Sequence, residues 1–549
     1  MESPGTATIS EVANSFRTRA LSPVELLEHH VERIERLNPV LNAFLTLTVE
    51  QARVEAVAAE SRLREGSASE LTGVPIGHKD IYLTKGVRTT AGSRALDHHV
   101  PEEDAAVVER LAAAGAVSLG KTHCHELACG AMEGYGVTRN PWDVGRAAGG
   151  SSSGSAAAVA AGLVLAATAS DTGGSVRVPA AFTGTVGFKP TFGRVSRHGI
   201  FPISYTLDHP AVLARCVADA ELVYRELAFY DAKDRLTSLS DEEAALSEPD
   251  RQGFGTVRVG LPHELFASGV MPEVSAALLK AASCLEEQGA VLVPVQVEGF
   301  ESVAPVHTVV WLAEAASRLR RLLLDQREPV GSVVRKRLLP GLLLSTADYF
   351  VAMHERERLR ESMERLFHSV DVLLLPAAPF TAHLIDDVTS ARSDVSRFNR
   401  LANLTGEPAV ALPCGFGEAG LPIGMQLMAG RWQESLLLRV ARCYEQANGW
   451  WRATPKVVAN TVGDGREEAY LSQLTSNQAP TSVPVALAGE AGEATIDWVR
   501  TRATAAGLDL TEPGLWEMSA QFHRTRVALD AMHARSDAPF STSAQDFVF

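Results

Sequence analysis

Two glycine- and serine-dense turns, separated by a segment built almost wholly of small apolar residues, constrain this chain more than any other feature. The first is "GGSSSGS", residues 149–155, which runs straight into "AAAVAAG". The second is "SDTGGSVR", residues 170–177, which runs into "VPAAF". A single Gly-Ser run reads as a flexible spacer. Two runs around one packed helix, each followed at once by apolar residues, make poor spacers. Glycines let a backbone approach a ligand closely, and successive N–H groups can converge on an anion. Serines in such turns can supply a nucleophile.

The surrounding pattern is helix followed by strand. "LSPVELLEHHVERIERLNPVLNAF" opens a helix with Ser22 as N-cap, Pro23 in the first helical position and Glu25 completing a capping box. "DAAVVERLAAAGAVSLGKT" reads as helix, glycine stop and strand, and the same alternation recurs over 274–295 and 358–377. This predicts an α/β fold with a large mixed or parallel central sheet flanked by helices. Residues 228–256 read as a polar surface excursion. A stretch over 456–487, rich in Ser, Thr, Asn, Gln and Pro, reads as a linker. Beyond it, 488–549 carries two helical segments, a small C-terminal appendage. The chain therefore divides into a catalytic unit over 1–455, a linker and that appendage.

Composition narrows the functional classes. The chain of 549 residues has a net charge of −15, which disfavours nucleic acid and anionic membranes as partners. No uninterrupted apolar run reaches membrane-spanning length, and the N-terminus lacks a secretory pattern. The six cysteines are too sparse for a disulfide framework, which fits a reducing cytoplasm.

A nucleophilic serine needs a base, and none of the 16 histidines is framed for the task. Lys79 in "GVPIGHKDI" is the candidate instead. Its apolar neighbours Val74, Pro75, Ile76 and Ile81 would strip water from the amine and favour its neutral form. The cluster His123, Cys124, His125 and Cys129 has metal-ligand chemistry, but its spacing matches no common zinc frame, so no metal is expected. No cofactor is expected either.

The segment "GGSSSGSAAAVAAGLVLAATASDTGGSVRVPAAFTGTVGFKPT", with "GVPIGHKDI", "GKTHCHELACGAMEGYGVTRNPWD" and "NLTGEPAVALPCGFGEAGLPIGMQLMAG", resembles the amidase signature family of Ser-cis-Ser-Lys hydrolases over roughly residues 8–455. The resemblance implies Lys79 as base, Ser151 as a bridging serine after a cis peptide, and Ser175 as nucleophile. It implies an oxyanion hole from the backbone N–H groups of Thr172, Gly173, Gly174 and Ser175. Asp171, Arg177 and Ser152 take supporting places, and Cys129 and Met132 become candidates for the substrate pocket. The activity implied is cleavage of a C–N bond in a small amide or carbamoyl substrate through an acyl-enzyme, in a homodimer. Within the family the alternative is the catalytic subunit of a glutamine-dependent tRNA amidotransferase. The acidic charge and the appendage weigh toward the free-standing hydrolase. A non-catalytic scaffold is disfavoured because all three relay residues are present. Residues 488–549 resemble small accessory subunits of amidases acting on urea-like compounds, or else form a dimerisation arm.

Overall fold

The computed structural model describes residues 7–130, 132–237, 256–325, 329–387, 394–455, 457 and 493–505, and scattered residues between 518 and 533. Apart from Val457, the linker read over 456–487 lies outside the described residues, as do residues 238–255 of the surface excursion.

Local signals hold where they are strong. Ser22 caps the helix Pro23–Leu41, and its hydroxyl accepts from Glu25 N while Glu25 reaches back to Ser22 N. The helix Ala106–Ala113 stops before Gly115, which takes φ 85°, a left-handed value that glycine adopts without strain. The helix read within 358–377 starts earlier, at Thr346, because Ser345 and Asp348 form a capping box there.

Eleven strands form one mixed sheet. They are β1 (Phe44–Leu47), β2 (Pro75–Lys79), β3 (Val117–Thr122), β6 (Ala166–Asp171), β7 (Val186–Lys189), β8 (His209–Ala214), β9 (Arg258–Leu261), β10 (Val291–Pro294), β11 (Val372–Pro376), β12 (Ala409–Phe416) and β13 (Pro422–Ala429). A separate hairpin joins β4 (Arg139–Asn140) to β5 (Asp143–Ala147). The spatial order is β1-β3-β2-β6-β8-β7-β12-β13-β11-β9-β10. β2 lies parallel to both β3 and β6, whereas β6, β8, β7, β12, β13 and β11 pair antiparallel in turn.

Every residue of β2 and β6 is buried, as central strands covered on both faces require. The cover includes the helix Ser153–Ala160, which is itself buried on all sides. This answers why Gly-Ser runs into alanine: a helix enclosed on every face needs small side chains to sit close to the strands. β2 and β6 are neighbours that end together. β2 finishes at Lys79, and β6 leads into the second Gly-Ser turn. Open α/β sheets place their ligands at such carboxyl ends.

The long helices Phe300–Leu324 and Thr346–Ser369 share a core with the appendage. Val499, Phe522 and Met532 are fully buried there, and Trp498 stacks on Phe522 at 4.6 Å between ring centroids. Arg502 and His533 both reach Asp348, at 2.8 and 3.0 Å. These described faces of the appendage are thus covered by the same chain. Among the described residues, no helix is long and apolar enough to cross a membrane.

Candidate active site

Lys79 is the centre of the site. Its side chain is wholly buried at the end of β2, and its backbone N–H donates to Thr168 Oγ1 on β6. Nζ lies 2.7 Å from Ser151 Oγ, 2.8 Å from Ser170 Oγ and 3.0 Å from Ser152 Oγ. Burial lowers its pKa to about 8, although the charges of Asp171 and Asp208 pull the other way. An amine in this state is neutral over an accessible pH range, as a base must be.

The Gly150–Ser151 peptide is cis. Ser151 O accepts from His125 N, which ties the first Gly-Ser turn to the segment after β3. Gly150 has no room for a side chain, since a Cβ there would sit 1.9 Å from the His125 ring. Residues 150–154 also spell G-x-S-x-G with Ser152 at its centre, the pattern of a nucleophile elbow. Ser152 cannot act as one: it is fully buried, and its hydroxyl lies between Lys79 Nζ and Ser170 O.

The second turn is held from below by a buried ion pair. Asp171 Oδ1 lies 2.8 Å from Arg177 Nη2, and both side chains are fully enclosed. Arg177 also donates to Gln426 Oε1 and Asn403 Oδ1, and Asn403 Nδ2 donates back to Asp171. Burial alone would raise the Asp171 pKa. The charge and hydrogen bonds of Arg177, with Lys189 and Asn403, outweigh burial and hold it well below the usual carboxylate range. Asp171→Ala leaves Arg177 buried without its counter-charge and is expected to cost about 3–5 kcal/mol of stability, measured by chemical denaturation. A loss under 1 kcal/mol would show that the pair does not hold the turn.

Asp171 also corrects the oxyanion assignment. Gly174 N donates to Asp171 Oδ1 at 2.7 Å, so its N–H is already committed. Thr172 N, Gly173 N and Ser175 N have no intramolecular acceptor among the described residues, and Gly173 and Ser175 keep partial exposure. Gly174 takes φ 113°, and a Cβ there would meet Asn399 at 2.7 Å, so only glycine serves. The Ser175 hydroxyl makes no hydrogen bond among the described residues. The two turns instead meet through Ser152 N, which donates to Ser175 O at 3.2 Å.

The pocket candidates divide. Met132 is half-buried, with Ser153 Oγ 3.8 Å from its sulfur. The Cys129 thiol turns inward and donates to Leu127 O, and burial pushes its pKa up to about 12. The Cys129 carbonyl accepts from Arg337 Nη1 at 3.0 Å. Among the described residues, no three His, Cys, Asp or Glu side chains gather as a metal site.

Four contributors to the site stand out little in the sequence, and a fifth, His125, was read only as part of a possible metal cluster. Ser170 and Asp208 border the Lys79 cluster and the second turn. His125 and His307 are each forced neutral by burial, with pKa values near 3, and pack on Gly150 and Gly173. Arg337 stacks on Trp311 and stays exposed, with no carboxylate within ion-pair distance among the described residues. The Ser170 hydroxyl could have been found, because Ser170 and Asp171 lead directly into the nucleophile turn. The others come from segments far away in the chain.

A mixed sheet in which two neighbouring parallel strands end beside a buried lysine, three serines and a glycine-rich turn is the α/β frame that positions this site. The Amidase family model matches residues 25–438. The A-subunit of the glutamyl-tRNA(Gln) amidotransferase from Coxiella burnetii is 38% identical over 482 residues, covering 82% of this chain and 99% of that protein. A solved structure from a vestigial protein complex, bearing on the evolutionary origins of an s-triazine catabolic enzyme, is 33% identical with a TM-score of 0.76, over 82% of this chain and 100% of that one. The peptide amidase from Stenotrophomonas maltophilia is 32% identical with a TM-score of 0.71, over 82% of this chain and 98% of that one. The chain belongs to the amidase signature family.

Proposed function

We propose that this chain cleaves the C–N bond of a carboxamide, with Ser175 as nucleophile, Ser151 as proton bridge and Lys79 as base. The observation that carries the reading is Lys79 Nζ, depleted of water and 2.7 Å from Ser151 Oγ, at the floor of the turn that presents Ser175. Neutral Lys79 accepts a proton from Ser151, which takes one from Ser175 as Oγ attacks the carbonyl carbon. Thr172 N, Gly173 N and Ser175 N, without an acceptor among the described residues, are the donors for the developing oxyanion. The proton returns along the same path to the leaving nitrogen, and water then hydrolyses the acyl-enzyme. The Ser151–Ser175 hydroxyl contact is the link that substrate binding has to complete, since such bonds are commonly loose before substrate arrives.

Charge and the appendage favour the free-standing hydrolase, and the relatives shift the weight to its alternative. The matched A-subunits of tRNA amidotransferases favour an ammonia-releasing glutaminase that works with partner subunits. Arg337 suits that reading, because a guanidinium beside the site with no contacting carboxylate among the described residues matches a substrate that carries a carboxylate as well as an amide. The free-standing amidase remains the second reading, favoured by the likeness to the peptide amidase. Both share one chemistry. Ammonia release from glutamine, simple carboxamides, ureas and carbamates, measured with the protein alone, separates them. A glutaminase of this kind is expected to release ammonia from glutamine slowly by itself and faster with its amidotransferase partners. Rapid turnover of other amides by the protein alone would favour the second reading. Absence of any release, with Ser175 unreactive to a fluorophosphonate, would sink both.

A further inference from the structure

Thr172 opens the turn that carries Ser175, and its hydroxyl and its carbonyl are both held from outside the turn. Thr172 Oγ1 donates to Asp208 Oδ1 at 2.7 Å. The second oxygen of Asp208 accepts from Ile203 N at 2.8 Å and Ser204 N at 2.9 Å. Asp208 therefore joins the oxyanion turn to the 203–208 loop. That loop is anchored in turn: Ser204 Oγ, Thr206 N and Thr206 Oγ1 all donate to Glu314 on the helix Phe300–Leu324, and Glu314 also accepts from Tyr349 OH. The Thr172 carbonyl is fixed from the same helix, 2.9 Å from His307 Nε2. Burial keeps His307 neutral, so one ring nitrogen carries a proton to donate here.

We propose that Asp208 is a positioning residue of the reaction: it sets the oxyanion turn through Thr172, and its charge supports the basicity of Lys79. The inference rests on Ser175 and Lys79 acting as nucleophile and base. Asp208 and Asp171 are the carboxylates whose charge acts on Lys79; the thiols Cys124 and Cys129 and the His125 ring lie near it as neutral groups. Burial raises the Asp208 pKa, and the hydrogen bonds from Thr172, Ile203 N and Ser204 N, with the charge of Arg197, oppose that rise. Asp171 is neutralised at contact distance by Arg177, whereas Asp208 has no ion-pair partner within 4 Å among the described residues. Asp208 is thus the less compensated of the two negative charges that act on the amine.

Two substitutions separate geometry from charge. Thr172→Val removes the hydroxyl and leaves the Asp208 charge in place. It is expected to lower kcat about tenfold or more, with little change in KM, because the turn's donors meet the oxyanion only in the transition state. The pH at which kcat/KM reaches half its plateau stays where it was. Asp208→Asn keeps the shape: its amide oxygen can accept from Ile203 N and Ser204 N while its NH2 donates to Thr172 Oγ1. It is expected to keep the plateau rate within a few-fold and to move the acid limb to lower pH, since a positive charge loses a nearby negative one. Asp208→Ala should show both effects. Thermal melting of all three variants verifies that they fold. A native kcat in folded Thr172→Val, or an unmoved acid limb in folded Asp208→Asn, would overturn the corresponding half of the proposal. Ser175→Ala that still turns over would instead bring down the reading on which it rests.

Discussion

Ser175→Ala is expected to abolish turnover, by on the order of 10⁶ in kcat, because members of such a relay act as one unit and the loss of the nucleophile removes the whole pathway. Stability should change by no more than about 0.5 kcal/mol. The Ser175 side chain is only partly buried, and its hydroxyl has no hydrogen bond within the described residues to lose. The measurements are steady-state turnover, thermal melting and covalent labelling by a fluorophosphonate. Labelling that persists on another serine would reassign the nucleophile. Ser152 is the instructive control. It stands in G-x-S-x-G but is enclosed, so Ser152→Ala should keep its label on Ser175.

The second large effect is at Lys79. A lysine with a pKa near 8 holds its proton below that pH and then cannot accept one from Ser151. kcat/KM should therefore rise as pH rises through about 8 and level off above it, which is the opposite of a mechanism that needs the ammonium form. Lys79→Ala should cost a factor on the order of 10⁴ or more in kcat. Lys79→Arg should be no better, because a guanidinium stays protonated at every pH the fold tolerates. A flat profile between pH 6 and 9, with a folded and active Lys79→Ala, would show that the serines are activated by some other group.

The parts of the site that were legible in the sequence lie in three short segments. Lys79, Ser151 and Ser175 each sit in a local pattern that stands out: an amine among apolar residues, and serines among glycines. Ser152 and Ser170 lie within the same segments; the family resemblance gave Ser152 a supporting place, whereas Ser170 was not singled out. The backbone sorts them. Ser153 Oγ turns toward Thr138, and Ser155 Oγ toward Thr122, while Ser152 and Ser170 face Lys79. The oxyanion donors show the same limit. Four consecutive N–H groups look alike in sequence, and the Asp171 carboxylate decides that Gly174 is not available.

The amino-acid pattern alone determined the alternation of helix and strand, the α/β class, and the small-residue helix that must be buried. These follow from short-range effects: periodicity, capping and the size of side chains. Strand order, in which β2 sits beside β6 and β7 lies between β8 and β12, was not accessible from those effects. Only the tertiary structure decided which distant groups act on the site. Asp208 reaches Thr172 across 36 positions of sequence, and His307 reaches the same residue across 135. Arg337 bonds the Cys129 carbonyl across 208. A charge or hydrogen bond acts through space within a few ångströms, so its partners are set by how the sheet and its covering helices pack, and no local pattern encodes them. The appendage obeys the same rule. Its amphipathic helix required a cover, and the packing of Val499 and Phe522 beside the helices at 300–324 and 346–369 decided that the cover is this chain itself.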